Sequence, residues 1–255
     1  MNFYRIAQAK YRRAIKISRC LRFIPGVKMI AVCNSLSYNR AQPESDIDLF
    51  IIASPGRIWA VRFFSLLLLK LLNLRPGSPA RINQEKVFNE SQNQDKICLS
   101  FIITADNLDL SKYKICIQDN YLAYWIRQLR PLYNENNVYQ KFVQANNWIF
   151  CQSMVNSQIK NYQTLTAIAI YNLAGFYRPN YRRRLAESKY LKFLFNVFVT
   201  NWDELIYKRI QLKVMPIYIK QTASDWDSRV ILSDKVLKFH LNDARLKWQN
   251  QCFDD

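Results

Sequence analysis

Val27-Lys28-Met29-Ile30-Ala31-Val32-Cys33-Asn34-Ser35, a polar stretch as far as Glu44, then Ser45-Asp46-Ile47-Asp48-Leu49-Phe50-Ile51-Ile52-Ala53: this segment decides how the chain is read. Its two apolar, β-rich runs are bounded by turn formers, Ile24-Pro25-Gly26 before the first and Ser54-Pro55-Gly56 after the second, and both are expected strands. Residues two apart on a strand share a face, so Asp46 and Asp48 project side by side where the second strand begins. Adjacent carboxylates repel one another, and a hard divalent cation such as magnesium relieves that repulsion. The first strand runs into Asn34-Ser35, where a following turn or helix offers backbone N–H groups and a hydroxyl to an anion. Metal-holding carboxylates beside phosphate-holding donors are what phosphoryl transfer requires.

Working outward, Phe3, Ile6, Ala7, Ala14, Ile17 and Leu21 recur at helical spacing, while Lys10, Arg12, Arg13, Lys16 and Arg19 fall largely elsewhere. Residues 2–22 are therefore expected to form an amphipathic helix with a basic face. Residues 59–74 read as a buried helix and 97–104 as a third strand, with 113–117 a weaker candidate for a fourth. Beyond residue 119 helical periodicity takes over, at 120–130, 137–148, 162–174 and 187–212. Residues 213–230 read as a loop or linker and 234–251 as a final helical segment. The expected fold class is α+β, a mixed sheet with flanking helices in 1–118, followed by a helical half in 119–255 that shapes an acceptor pocket.

The strand–Asn34-Ser35–strand segment resembles the DNA polymerase β-like nucleotidyltransferase superfamily, whose signature is a strand, Gly-Ser, about ten residues, and Ser-Asp-x-Asp-hydrophobic. Ten residues separate Ser35 from Asp46, and Ser45-Asp46-Ile47-Asp48-Leu49 fits the second part unaltered. Lys96-Ile97-Cys98-Leu99 and Phe239-His240-x-x-Asp243 further resemble a bacterial and archaeal branch of nucleotidyltransferase-domain proteins. The resemblance implies catalytic Asp46 and Asp48 holding Mg2+ or Mn2+, with nucleotide-binding Asn34, Ser35 and Ser45 along the phosphates. It also implies transfer of a nucleoside monophosphate, AMP in the leading reading, from a nucleoside triphosphate to a hydroxyl. Two positions depart from the pattern: Asn34 and Asn39 replace glycines, although Asn tolerates left-handed backbone. The superfamily's third carboxylate, from a later strand, has no evident counterpart. Residues 97–103 carry Ser100 where an acid would stand, and Asp95, Asp106 and Asp109 lie outside the strand. An acid converging on Asp46 and Asp48 would favour the enzyme; its absence favours a catalytically decayed fold that binds nucleotide or RNA.

The net charge of +18, from 37 Lys+Arg against 19 Asp+Glu, favours a polyanionic partner, RNA among them. Arg178-Pro179-Asn180-Tyr181-Arg182-Arg183-Arg184 joins cations to a tyrosine, as phosphate contact and base stacking require. Six cysteines without a Cys-x-x-Cys pair, and one histidine, His240, argue against a zinc site and against metal binding through sulfur. Asp225-Trp226-Asp227 repeats the Asp-x-Asp pattern without a strand around it. No signal-peptide pattern is legible, and the apolar run 63–69 is far shorter than the ~20 residues that span a bilayer. A cytoplasmic protein without stable membrane insertion is the expectation.

Overall fold

The computed structural model describes residues 3–75, 94–117, 119–150, 204–225, 229–240 and 245. The readings at 162–174 and 178–184, and most of that at 187–212, lie outside these residues, as does Asp243.

Helix α1 (Phe3–Leu21) is followed by β1 (Val27–Val32), a short helix α2 (Asn34–Ser37) and β2 (Ile47–Ala53). Then come α3 (Ile58–Leu71), β3 (Ile97–Thr104), α4 (Asn120–Gln128), β4 (Arg130–Asn134) and α5 (Val138–Ala145). After the segment outside the described residues follow α6 (Glu204–Val214), α7 (Ile217–Thr222), β5 (Val230–Leu232) and β6 (Val236–Phe239). The strands make one six-stranded sheet in the order β4-β1-β2-β3-β6-β5. Only β2 and β3 run parallel; the other neighbours are antiparallel. The fold is thus α+β with a mixed sheet and flanking helices.

Both faces of the sheet are covered, which is why β2 reads as a continuous apolar run and not an alternating one. On one face Val27, Ile30, Val32, Leu49 and Ile51 pack against α1 and α3 through Ala14, Leu21, Trp59 and Val61. On the other, Met29, Ala31, Phe50, Ile52 and Phe101 pack against α4 and α5 through Trp125, Ile126 and Phe142. Phe50 lies at the centre of an aromatic group, with ring centroids 5.3 Å from Phe101, 5.3 Å from Trp125 and 5.5 Å from Phe142.

Residues beyond 118 are not confined to helices, since β4, β5 and β6 belong to the same sheet. The stretch expected as a loop at 213–230 carries the end of α6 and all of α7. Where the expected helical segment 234–251 begins there is a β5–β6 hairpin turning at Ser233, whose N–H donates to the Val236 carbonyl at 2.9 Å; residues 241–244 and 246–251 lie outside the described residues. Residues 113–117 form no strand; a 3-10 turn covers Ser111–Tyr113 instead.

Candidate metal centre

Asp46 immediately precedes β2, and Asp48 is its second residue. In the parallel pairing Asp48 stands opposite Cys98 on β3. The register then slips, Phe50 pairing with Phe101, so β3 carries one extra residue at this point. Such a bulge re-aims a side chain: the Ser100 hydroxyl reaches back to donate to Asp48 Oδ1 at 3.3 Å. Ligand atoms of Asp46, Asp48 and Cys98 all lie within 4.8 Å of one another, a group able to hold a metal ion, and all three residues are half-buried.

The opposite wall comes from β1. The Cys33 N–H donates to the Asp48 carbonyl at 3.1 Å, which brings the first residue of α2 beside the carboxylates. Asn34 hydrogen-bonds the Asp48 carboxylate through its side chain, and its Oδ1 accepts from Trp125 Nε1 at 2.9 Å. The Trp125 N–H fixes the amide so that its NH2 faces the acid. Both expected glycine replacements adopt left-handed backbone, Asn34 at φ 54° and Asn39 at φ 57°.

Burial, then the neighbouring Asp46 charge, pushes Asp48 up to about 7, against hydrogen bonds from Asn34, Cys98 and Ser100. Asp46 is also raised by burial, opposed by its own N–H, by Lys10 and by Cys98. The Cys98 thiol is raised well above its ordinary value by burial and by both carboxylates. Among the described residues neither Asp46 nor Asp48 has an ion pair. Two carboxylates whose ionisation is suppressed by burial, and for Asp48 by the Asp46 charge as well, form a site that a cation would stabilise. The carboxylates suit Mg2+ or Mn2+, whereas a thiolate suits softer ions, and the donor set leaves the ion's identity open.

The remaining expected residues are placed as follows. Ser35 follows Asn34 in α2, its carbonyl accepting from the Arg40 N–H at 2.8 Å. With only four residues α2 has little macrodipole, so an anion there would rely on single N–H groups and the hydroxyl. The Ser45 hydroxyl donates to the Gln42 carbonyl at 2.9 Å, inside the turn that leads to Asp46. No third carboxylate joins the group among the described residues. Asp95 is bound by Lys10 Nζ at 2.9 Å, Asp106 faces Lys235 at 3.6 Å, and Asp109 accepts from the Ser111 N–H at 2.8 Å. His240 meets Phe101 edge-on, with centroids 6.1 Å apart, and Asp225 pairs with Arg229 at 2.8 Å.

Two residues were missed by reading the sequence. Cys98 joins the two acids, and its place depends on a strand register that no sequence pattern displays. Lys10, grouped above with the basic face, is instead 2% exposed. Its ammonium donates to the Pro43 carbonyl at 3.0 Å and the Ser45 carbonyl at 2.6 Å. That position was legible: at about 100° per residue Lys10 falls between Ala14 and Ile17 on the buried side. Lys10 thereby ties α1 to the residue before Asp46.

No protein-family model and no curated protein matches the chain, so the case for a function rests on the Asp46–Asp48–Cys98 group and its surroundings.

Proposed function

We propose that the protein is a metal-dependent nucleotidyltransferase that moves a nucleoside monophosphate, AMP in the leading reading, from a nucleoside triphosphate to a hydroxyl acceptor. The observation that carries this reading is the convergence of Asp46 and Asp48 beside the Asn34-Ser35 turn, on adjacent central strands. Asp46 and Asp48 would hold the divalent ion, which supplies charge neutralisation at the phosphates. Asn34, its amide set by Trp125, orients Asp48; Ser35 and nearby N–H groups would meet phosphate oxygens. The acceptor oxygen forms a bond to the α-phosphorus, the bond to the bridging oxygen breaks, and pyrophosphate leaves while the hydroxyl proton passes to solvent.

The test is incubation with each α-labelled nucleoside triphosphate, Mg2+ or Mn2+, and total RNA or cell extract as acceptor. Label transfer by the native chain and its loss in Asp46→Asn/Asp48→Asn is the expected result. An undiminished rate in that double variant would sink the assignment.

A second reading, a non-catalytic nucleotide- or RNA-binding module on the same fold, is favoured by one observation: among the described residues a thiol, Cys98, and no third carboxylate joins Asp46 and Asp48. Metal-dependent nucleotide binding without transfer to any acceptor would select it.

A further inference from the structure

Helix α1 contains no Asp or Glu, yet carries six Lys and Arg residues. Five of these, Arg5, Arg12, Arg13, Lys16 and Arg19, are exposed, and Lys10 is buried. At about 100° per residue Arg5, Arg12, Lys16 and Arg19 fall within an arc of roughly 60°, opposite the buried Ala7, Ala14 and Leu21. They form a single row roughly 21 Å long at 1.5 Å per residue. The helix itself is tied to the segment before the metal centre by residues outside the row. Arg13 Nη1 donates to the Asp95 carbonyl at 3.1 Å. Asp95 in turn donates its N–H to the Ser45 carbonyl at 3.3 Å, one residue before Asp46. Exposed Arg40 stands on the loop between α2 and Asp46.

We propose that this face of α1 is the docking surface for the phosphodiester backbone of a single-stranded RNA. A single row of cations along a helix follows one strand, while Lys10 and Arg13, outside that row, tie the helix to the turn before Asp46 and to Asp95. A lipid surface fits less well, because a membrane-seated helix needs its apolar face free. Here Ala7, Tyr11, Ala14, Ile17 and Leu21 are all within the core. RNA as the acceptor of transfer rests on the proposed function; the binding itself does not.

The experiment measures affinity of the full chain for a labelled single-stranded RNA oligonucleotide, without nucleoside triphosphate, across a salt series. Arg5→Glu/Arg12→Glu/Lys16→Glu/Arg19→Glu is compared with Lys70→Glu/Arg209→Glu/Lys213→Glu/Lys220→Glu, four exposed cations on α3, α6 and α7. Both quadruple variants change the net charge equally. A Gln version of the α1 set keeps helix propensity and guards against misfolding, which thermal unfolding reports. The α1 variants are expected to weaken binding by at least about tenfold, and the Gln version to flatten the salt slope by about 3, with the control set within about threefold of native. Equal losses in both sets, or unchanged affinity in the α1 set, would overturn the proposal. So would α1 variants that keep RNA but lose sedimentation with phosphatidylserine vesicles. Asp46→Asn/Asp48→Asn is expected to bind the RNA as the native chain does, which separates failure of docking from failure of transfer.

Discussion

Asp48 holds a proton in the folded chain up to about pH 7, well above the range of a carboxyl in water. The folded state therefore binds that proton more tightly than the unfolded state does. Its stabilising contribution is complete below the ordinary carboxyl range and is lost as pH rises through about 7. Asp48→Asn removes this loss. In chelator, the variant should gain about 1–2 kcal/mol over the native chain between pH 5 and pH 8, measured by denaturant unfolding. The three-unit shift would give ~4 kcal/mol at most, and solvent contact lowers it. A divalent ion should restore the native chain's stability at pH 8 and do nothing for Asp46→Asn/Asp48→Asn. Cys98→Asp should tighten Mg2+ binding roughly tenfold by supplying a third oxygen donor, read by calorimetry; weaker binding would show that Cys98 is not a ligand position. At this scale the paired acids and the left-handed Asn residues were visible in the sequence, because they depend on neighbours in the chain. Cys98 and its bond to Asp48 were not, because they depend on a bulge in a strand about fifty residues away.

Among the elements, α3 shows how distant segments complete one another. Its N-terminal N–H groups at Trp59 and Ala60 donate to the Glu204 carboxylate on α6. On the same pair of helices the Gln211 side-chain amide donates to the Trp59 carbonyl at 2.8 Å. A carboxylate at a helix N-terminus satisfies orphan donors and meets the positive end of the dipole. Glu204→Ala should cost about 1–2 kcal/mol in thermal or denaturant unfolding, with Glu204→Gln losing less. The long elements were legible, α1 from its helical period and β1, β2 and β3 from apolar, β-rich runs of six to eight residues. The helices α4 and α5 likewise fall within the expected stretches 120–130 and 137–148, whereas α7 and the short strands β4, β5 and β6 were not legible. β4 follows α4 almost without a break, and Pro131 was the available sign that the helix had ended, being tolerated because β4 is an edge strand. The runs around Ser233-Asp234-Lys235 fit a hairpin as well as a helix, and with three and four residues per strand periodicity could not choose.

For the whole molecule, the sheet draws on both ends of the chain. Residues 1–118 alone contain β1, β2 and β3 but neither β4, which covers β1, nor β6, which covers β3. That fragment would expose two apolar strand edges, the condition under which sheets pair with other molecules. It is expected to be aggregated or unfolded when purified, by sedimentation and circular dichroism, while the full chain is monodisperse; a soluble, folded fragment would show that the N-terminal strands need no cover.

The pairing of β3 with β6 also sets a delay in the making of the protein. Thr104 ends β3, and Val236 begins the strand that closes its outer edge. At 5–20 residues per second of synthesis, roughly 7–26 s pass between the two. During that interval the strand bearing Cys98 and Ser100 lacks its eventual neighbour, and its outer edge stays open to other strands until β6 has been made.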